Sequence, residues 1–381
     1  MSVHLSSYPS TATTLDLNSR FLGPDGVKAI ANELNRGSFQ QVECIDLGNN
    51  FIGDEGTEAV AAAIVRCSFQ RLKRINLYNN AIGMEGTKAI ATALEHGSLL
   101  TLEIIHLGCN QIDHMGAKAI ATALQNAPFP QLRRLDLYNN YIRDEGALAL
   151  ALVLERGALP LLERIELSNN DIGNEGAKAV AAALERGSFQ ALERMDFSWN
   201  RVGDEGTQAI ASALEHGAFP LLTHIDLRKN RLGPDGVKAI ASALEGGSFQ
   251  SFECINFSWS CIGDEGAKAI ASALERGSLP KLKCLGLHHC GIGMDGMNVL
   301  ASALWRATLP ALQSVDLTGN RGLTAAVAWH VHNATVGAPI RMRMLLFLGA
   351  ETGRCEAPVK RFLARDGDHA VMCRVWGFML S

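Results

Sequence analysis

A pattern with a fixed period of 30 residues runs through most of this chain and constrains its fold more than any other feature. It is marked by an asparagine that recurs without insertion at Asn50, Asn80, Asn110, Asn140, Asn170, Asn200 and Asn230. The same position holds Arg20 in an earlier unit and Ser260, Cys290 and Asn320 in later ones. These eleven units predict a repeat array in which each unit packs only on its neighbours.

Each unit combines the signals of a short strand and a helix. In the unit at residues 162–191, Ile165 and Leu167 alternate with polar residues, which indicates a strand with one buried face. Val180 and Leu184 lie four residues apart and predict the buried face of a helix over 175–186. Gly187 is expected to end that helix as a left-handed C-cap.

Two positions in each unit predict how the turns are held. The recurring asparagine is expected to bind backbone groups, so that stacked units form a ladder of buried amides. An aspartate or asparagine at the helix start is expected to cap the helix of its own unit, at Asp54, Asp144, Asn174, Asp204 and Asp264.

The unit beginning at Leu192 reads Leu-x-x-Met-x-Phe-x-x-Asn-x-Val-Gly, a pattern that resembles the leucine-rich repeat. It is most similar to the long-repeat subfamily typified by ribonuclease inhibitor, and to the repeats of NACHT-type receptors and Ran GTPase-activating protein. The resemblance implies an α/β horseshoe solenoid of eleven units, with parallel strands on the concave face and helices on the convex face. It also implies a binding scaffold, although members of this family share the scaffold and differ in partner.

Three segments are expected. Residues 1–11 are interpreted as a loose leader, residues 12–320 as the repeat array, and residues 321–381 as a C-terminal capping segment. The cap is predicted to cover Trp305, which replaces the usual glutamate of the helix, and Met297.

Composition disfavours several functional classes. The chain has 35 basic and 39 acidic residues and a net charge of −4, so no strong field attracts nucleic acid or an anionic membrane. Its nine cysteines form no CxxC pair, which favours reduced thiols and a cytoplasmic location. No catalytic motif, cofactor or small-molecule substrate is expected. A metal site at His224, Cys254 and Cys284 is disfavoured because ligands in a line do not form a tetrahedron.

Large side chains near the strand ends form the candidate site. Tyr78 and Tyr138 directly follow strand cores, whereas Trp199 and Trp259 stand where asparagine is usual. Lys229 lies between the tryptophans in the repeat, Arg228 precedes it, and His288 and His289 follow one unit later; of these two, His288 is assigned to the site. Tyrosine, tryptophan and arginine dominate interface hot spots, which favours partner binding. Alternatively, the tryptophans pack over Lys229 as a cation–π stack.

A column of acids crosses the concave face at Asp136, Glu166, Asp196 and Asp226, beside a column of basic residues that includes Arg134, Arg164 and Arg194. These charges form either a self-satisfied lattice of ion pairs or a charged binding floor.

The sequence therefore predicts a non-catalytic scaffold that binds a protein on its concave face. One alternative is a GTPase-activating or other enzyme-regulating repeat protein. Another is nucleic-acid binding through Arg201, Arg228, Lys229 and Arg231, against which the neighbouring Asp196 and Asp226 argue.

Overall fold

The structure is a computed structural model and describes residues 8–9, 11–36, 39, 41–67, 69–96, 99–187, 189–216, 219–246, 249–276, 279–307, 309–324 and 327.

Strands and helices alternate along the described residues. The strands are β1 (Thr14–Asp16), β2 (Cys44–Asp46), β3 (Arg74–Asn76), β4 (Ile104–His106), β5 (Arg134–Asp136), β6 (Arg164–Glu166), β7 (Arg194–Asp196), β8 (His224–Asp226), β9 (Cys254–Asn256), β10 (Cys284–Gly286) and β11 (Ser314–Asp316). The helices are α1 (Gly23–Leu34), α2 (Gly53–Cys67), α3 (Met84–His96), α4 (His114–Asn126), α5 (Arg143–Glu155), α6 (Asn174–Arg186), α7 (Asp204–His216), α8 (Pro234–Gly246), α9 (Gly263–Arg276) and α10 (Met294–Arg306).

The strands form one parallel sheet in sequence order, which confirms the predicted fold. Each strand pairs with the next at an offset of one repeat, so that Ile165 lies between Leu135 and Met195. Neighbouring strands are ~4.8 Å apart, whereas helices need about 10 Å, so the stacked units curve with the strands inside. Residues at one repeat position therefore become neighbours on one face.

The core lies between the sheet and the helices. Ile165 and Leu167 of the sheet, Val180 and Leu184 of α6, and Phe189 are all buried there, as the repeat pattern predicts. Because every unit contributes the same positions, burial continues from unit to unit, and the core becomes a long strip rather than a sphere.

The predicted asparagine ladder is present. Asn170 is fully buried, and its amide Nδ2 donates to the carbonyl of Leu167 in its own unit and to that of Leu137 in the preceding one, at 3.2 and 2.8 Å. The amide oxygen of Asn200 in turn accepts from the backbone N–H groups of Asn170 and Ile172. Each asparagine thus satisfies buried backbone groups in two units and joins them.

The predicted N-cap residues cap the helix of the next unit and not their own helix, so this part of the prediction is wrong. Asp144 Oδ1 accepts from the N–H groups of Gly173 and Gly176, at 2.7 and 2.8 Å, and so caps α6 rather than its own helix α5. Asp144 already lies in the first turn of α5, where its carboxylate reaches the next helix N-terminus one unit along the array. The same bond to the next unit is made by Asp54, Asn174, Asp204 and Asp264.

The prediction for Gly187 is also wrong. Its φ of −84° and ψ of 171° are extended rather than left-handed. Glycine is favoured at this position because a Cβ would collide with the ring of Phe189.

The two ends of the array bear on the segment predictions. Met297 is fully buried, at a helix position that is buried in every unit from Thr57 onward. Trp305 is 58% exposed on α10. The proposed cap lies outside the described residues except at 321–324 and 327. Residues 1–7 and 10 of the leader also lie outside them.

Candidate functional site

One position per unit, immediately before the ladder asparagine, lies at the end of each strand. We call this set the rim column; it comprises Ser19, Asn49, Asn79, Cys109, Asn139, Asn169, Trp199, Lys229, Trp259, His289 and Gly319. Every member has a positive φ, between 50° and 72°. Asparagine and glycine tolerate this left-handed conformation best, whereas other residues adopt it at a cost on the order of 1 kcal/mol.

Four consecutive units carry large side chains in these strained positions. Lys229 Nζ lies 3.5 Å from the centre of the Trp199 ring and 4.9 Å from that of Trp259. Trp259 stacks on His289 with ring centres 4.1 Å apart. We call Trp199, Lys229, Trp259 and His289 the rim stack.

The rim stack contains the cation–π contacts that the sequence offered as an alternative to partner binding. Even so, Trp199 and Trp259 remain 49% and 47% exposed, so about half of each indole is accessible. Internal packing therefore orients the rings and leaves an ordered aromatic surface accessible. Fixed orientation and accessible aromatic surface are the features of an interface anchor. Strained conformations of this kind persist where function selects them.

The other predicted site residues divide into those near the stack and those apart from it. His288 packs against the edge of Trp259 at 5.2 Å and contacts Thr318 through its ring Nδ1. Arg228 is held by Asp226, with Nε to Oδ2 at 3.2 Å. His289, which the sequence analysis did not assign to the site, belongs to the rim stack, and its ring centre lies closer to Trp259 than that of His288 does, at 4.1 against 5.2 Å.

Tyr78 and Tyr138 form a separate cluster around His106. Their ring centres lie 5.1 and 5.6 Å from the His106 ring, and Tyr138 Oη is 3.2 Å from His106 Nε2. Gly108 makes room for this contact, because a Cβ there would meet the Tyr138 ring at 2.8 Å. Burial raises the pKa of Tyr138 to about 12 and lowers the pKa of His106. These neutral, half-buried rings pack on one another, so the predicted tyrosines do not join the rim stack.

The ion pairs of the acidic column are incomplete, which favours a charged floor over a closed lattice. Arg134 pairs with Asp136, with Nε to Oδ1 at 2.6 Å. Arg164 and Arg194, in contrast, lie within 4 Å of no carboxylate in the described part of the chain.

Burial and neighbouring carboxylates raise the pKa values of two acids in the floor. Burial raises the pKa of Glu166, with further contributions from the carboxylates of Asp196 and Asp136. Burial and the carboxylate of Asp196 together raise the pKa of Asp226 to about 6. The floor therefore runs below the first units of the rim stack as an acidic surface.

Asp226→Asn is expected to stabilise the protein at pH 7 by about 2 kcal/mol. The pKa of Asp226 lies above its ordinary value of 3.8, so the folded state binds the proton more tightly than the unfolded state. Its charge consequently destabilises the fold above pH 6, and that cost disappears as the pH falls towards 4. Asparagine fits, because Asn256 fills the equivalent place and accepts the same turn bond from Ser258.

The measurement is the free energy of unfolding in urea at pH 7 and at pH 4.5. We expect the gain at pH 7 to shrink at the lower pH, and Asp316→Asn, in the same column at the exposed end, to change stability by less than about 0.5 kcal/mol. An equal gain at both pH values would contradict this electrostatic explanation.

An exposed aromatic pair at the first units escaped the sequence analysis. Phe21 and Phe51 are 80% and 60% exposed, and their rings stack at 6.5 Å. Both phenylalanines directly follow the ladder position of their unit, where Ala81 and Asp171 stand in other units, and this shared position was the sequence signal that could have identified them.

The described residues show neither a metal site nor a membrane span. No three histidine, cysteine or acidic side chains among them converge to hold a metal ion. No described helix combines the length and apolar character needed to cross a bilayer.

Comparison with known proteins identifies the repeat. A sequence model described as Leucine Rich repeat matches six segments, at residues 98–121, 130–151, 158–181, 190–211, 220–241 and 250–271. The chain is a leucine-rich repeat protein. No curated protein sequence matches this leucine-rich repeat protein.

One solved structure shares the fold at low sequence identity, and another shows a weaker likeness. A chain of the Rad7 and Elc1 complex in yeast is similar with a TM-score of 0.55 and 15% identity, over 87% of this chain and 74% of that one. An internalin from Listeria monocytogenes is 14% identical over 84% of this chain and 85% of that one, with a TM-score of 0.48. At such identities the likeness concerns the fold alone.

Proposed function

We propose that this leucine-rich repeat protein is a non-catalytic scaffold that binds a protein partner along its concave rim, with the rim stack as the anchor. One observation carries the proposal: in four consecutive units, Trp199, Lys229, Trp259 and His289 occupy left-handed positions that asparagine fills at lower cost elsewhere. The fold does not require these side chains, so a binding role accounts for them.

The surroundings of the rim stack favour a partner of definite chemistry. The exposed indole faces accept apolar and guanidinium groups, which stack on tryptophan. Asp196, at the end of the adjoining strand β7, has no ion-pair partner within 4 Å among the described residues and attracts basic groups. A protein segment that combines apolar and basic side chains fits both surfaces.

The alternatives receive less support from the same residues. Arg201 is paired with Asp171, and Arg228 with Asp226, so two of the four cations considered for nucleic acid are neutralised within the protein. The same pairing of Arg201 disfavours an arginine that acts on a bound nucleotide in a GTPase. We retain the likeness to the ribonuclease-inhibitor subfamily as part of the proposal, on the basis of the 30-residue repeat. The free cysteines of the described residues support a cytoplasmic location.

The test is affinity capture from native cell extract with three purified proteins: wild type, Trp199→Ala with Trp259→Ala, and Trp305→Ala. Trp305 is an exposed tryptophan on α10, on the convex side, and serves as the matched control. We expect a protein that wild type and the Trp305 variant retain and the double variant loses, and direct binding of that protein after purification. Equal retention by all three would place the interface elsewhere, whereas selective loss of RNA would favour the nucleic-acid alternative.

A further inference from the structure

Two cysteines lie side by side on the concave face, at the opposite ends of the strands from the rim stack. Cys254 begins β9 and Cys284 begins β10, and the two residues are direct partners in the parallel register. The next residues, Ile255 and Leu285, are buried in the core, so alternation along the strands directs both thiols to the concave surface. Both side chains are partly exposed.

The spacing suits a covalent bond between them. Adjacent strands are ~4.8 Å apart, which lies within the Cα separation of about 4.4–6.8 Å that disulfides span. Curvature brings side chains on the inner face of the sheet closer together than their Cα atoms. The two cysteines are direct neighbours across the strand pair. Cys44, at the same repeat position, has Thr14 and Arg74 as its register partners and no such neighbour.

The environment distinguishes the two sulfur atoms. Cys284 receives hydrogen bonds from Cys254 and from Ser314 and lies beside Lys283, and together these lower its pKa to about 6. The hydrogen bond to Cys284 and burial raise the pKa of Cys254. The thiolate is the reactive form of cysteine, so Cys284 is the nucleophile of the pair and Cys254 its protonated neighbour.

We propose that Cys254 and Cys284 form a peroxide-reactive dithiol site, a site of reversible disulfide formation on the concave face. The Cys284 thiolate attacks one oxygen of hydrogen peroxide, the O–O bond breaks, and hydroxide leaves, so that Cys284 becomes a sulfenic acid. The Cys254 sulfur then attacks the Cys284 sulfur, the S–O bond breaks and the S–S bond forms. The two thiol protons end in two water molecules. The two sulfurs lose two electrons in total, and hydrogen peroxide accepts these two electrons. This proposal does not depend on the proposed partner.

The test is peptide mapping of the full-length protein after brief exposure to hydrogen peroxide, alkylation of free thiols and digestion with trypsin without reductant. Trypsin releases residues 239–268, which contain Cys254 and Cys261, and residues 284–306, which contain Cys284 and Cys290. We expect these peptides to be recovered as a linked pair that a reductant separates. The linked pair should fall at least about tenfold in Cys254→Ser and in Cys284→Ser.

Two control variants assign the bond. Cys261→Ser and Cys290→Ser retain the reactive pair and should give the linked peptides at the wild-type level. A dimedone probe should label Cys284 as sulfenic acid in Cys254→Ser, where the resolving thiol is missing. Linkage that persists in Cys254→Ser or Cys284→Ser, or that disappears in either control, would overturn the assignment, as would a wild-type protein that yields no linked pair.

Discussion

Replacing Trp199 and Trp259 together by asparagine is expected to weaken binding of the concave-face partner by at least about 100-fold. Truncation of a hot-spot residue typically costs ~2 kcal/mol or more, and each 1.4 kcal/mol changes affinity tenfold. The affinity is measured by titration calorimetry with the purified partner. Trp305→Ala, which removes an exposed indole from the opposite side, should leave the affinity unchanged.

The same double variant should keep its free energy of unfolding within about 1 kcal/mol of wild type. Asparagine relieves the left-handed strain at both positions, which offsets the loss of the contacts to Lys229, worth about 0.5–2 kcal/mol. It also restores the residue that stands at Asn139 and Asn169, whose amides bond to one another. A steep fall in stability would show that the tryptophans serve the fold, and would remove the main support for the proposed interface.

Asn170→Ala is expected to destabilise the array by about 3 kcal/mol. The substitution removes one of two amide donors from the carbonyls of Leu137 and Leu167, which keep the amides of Asn140 and Asn200. It also removes the acceptor of the buried Ile142 N–H, and an unsatisfied buried group costs about 1–3 kcal/mol. The loss also uncouples two neighbouring units, because both carbonyls belong to strands that Asn170 joins. The midpoint and slope of urea unfolding measure the effect.

Asn169→Ala supplies the matched control. Asn169 is the adjacent residue, carries the same side chain and is exposed, so its removal should cost only about 1 kcal/mol, which is the strain of alanine in the left-handed conformation. Equal losses for the two variants would contradict the structural role assigned to the ladder.

The repeat fold could be predicted because burial repeats with the sequence. Ile165, Leu167, Val180 and Leu184 mark strand and helix by spacing alone, and a constant period leaves only one register for the parallel sheet. The ladder asparagine was equally clear, since an amide recurring in a buried turn must be hydrogen bonded.

Interactions between units were harder to predict. Asp144 matches the residue type of an N-cap, yet its partners lie in the next unit, which a signal read within one helix cannot reveal. The sequence left two alternatives open for the charge columns, because Arg164 and Glu166 share a strand face but their spacing does not specify the direction in which a long side chain extends.

For the site, residue type pointed to the tryptophans as anchors, but position in the repeat did not show which aromatic residues contact one another. Trp199 and Trp259 were conspicuous because they replace asparagine. Tyr138 was grouped with them, but its ring packs against His106 in the space that Gly108 leaves free. The left-handed conformation that makes the tryptophans unusual is a property of the backbone and became visible only in the structure.

Hydroxyl-radical footprinting of the partner complex tests the central claim most directly. Oxidation of Trp199, Trp259 and Trp305, all about half exposed in the free protein, is quantified by mass spectrometry with and without the purified partner. We predict that the partner protects Trp199 and Trp259 several-fold and leaves Trp305 unchanged. Unchanged oxidation of the two rim tryptophans in a saturated complex would contradict the assignment of the rim stack as the binding surface.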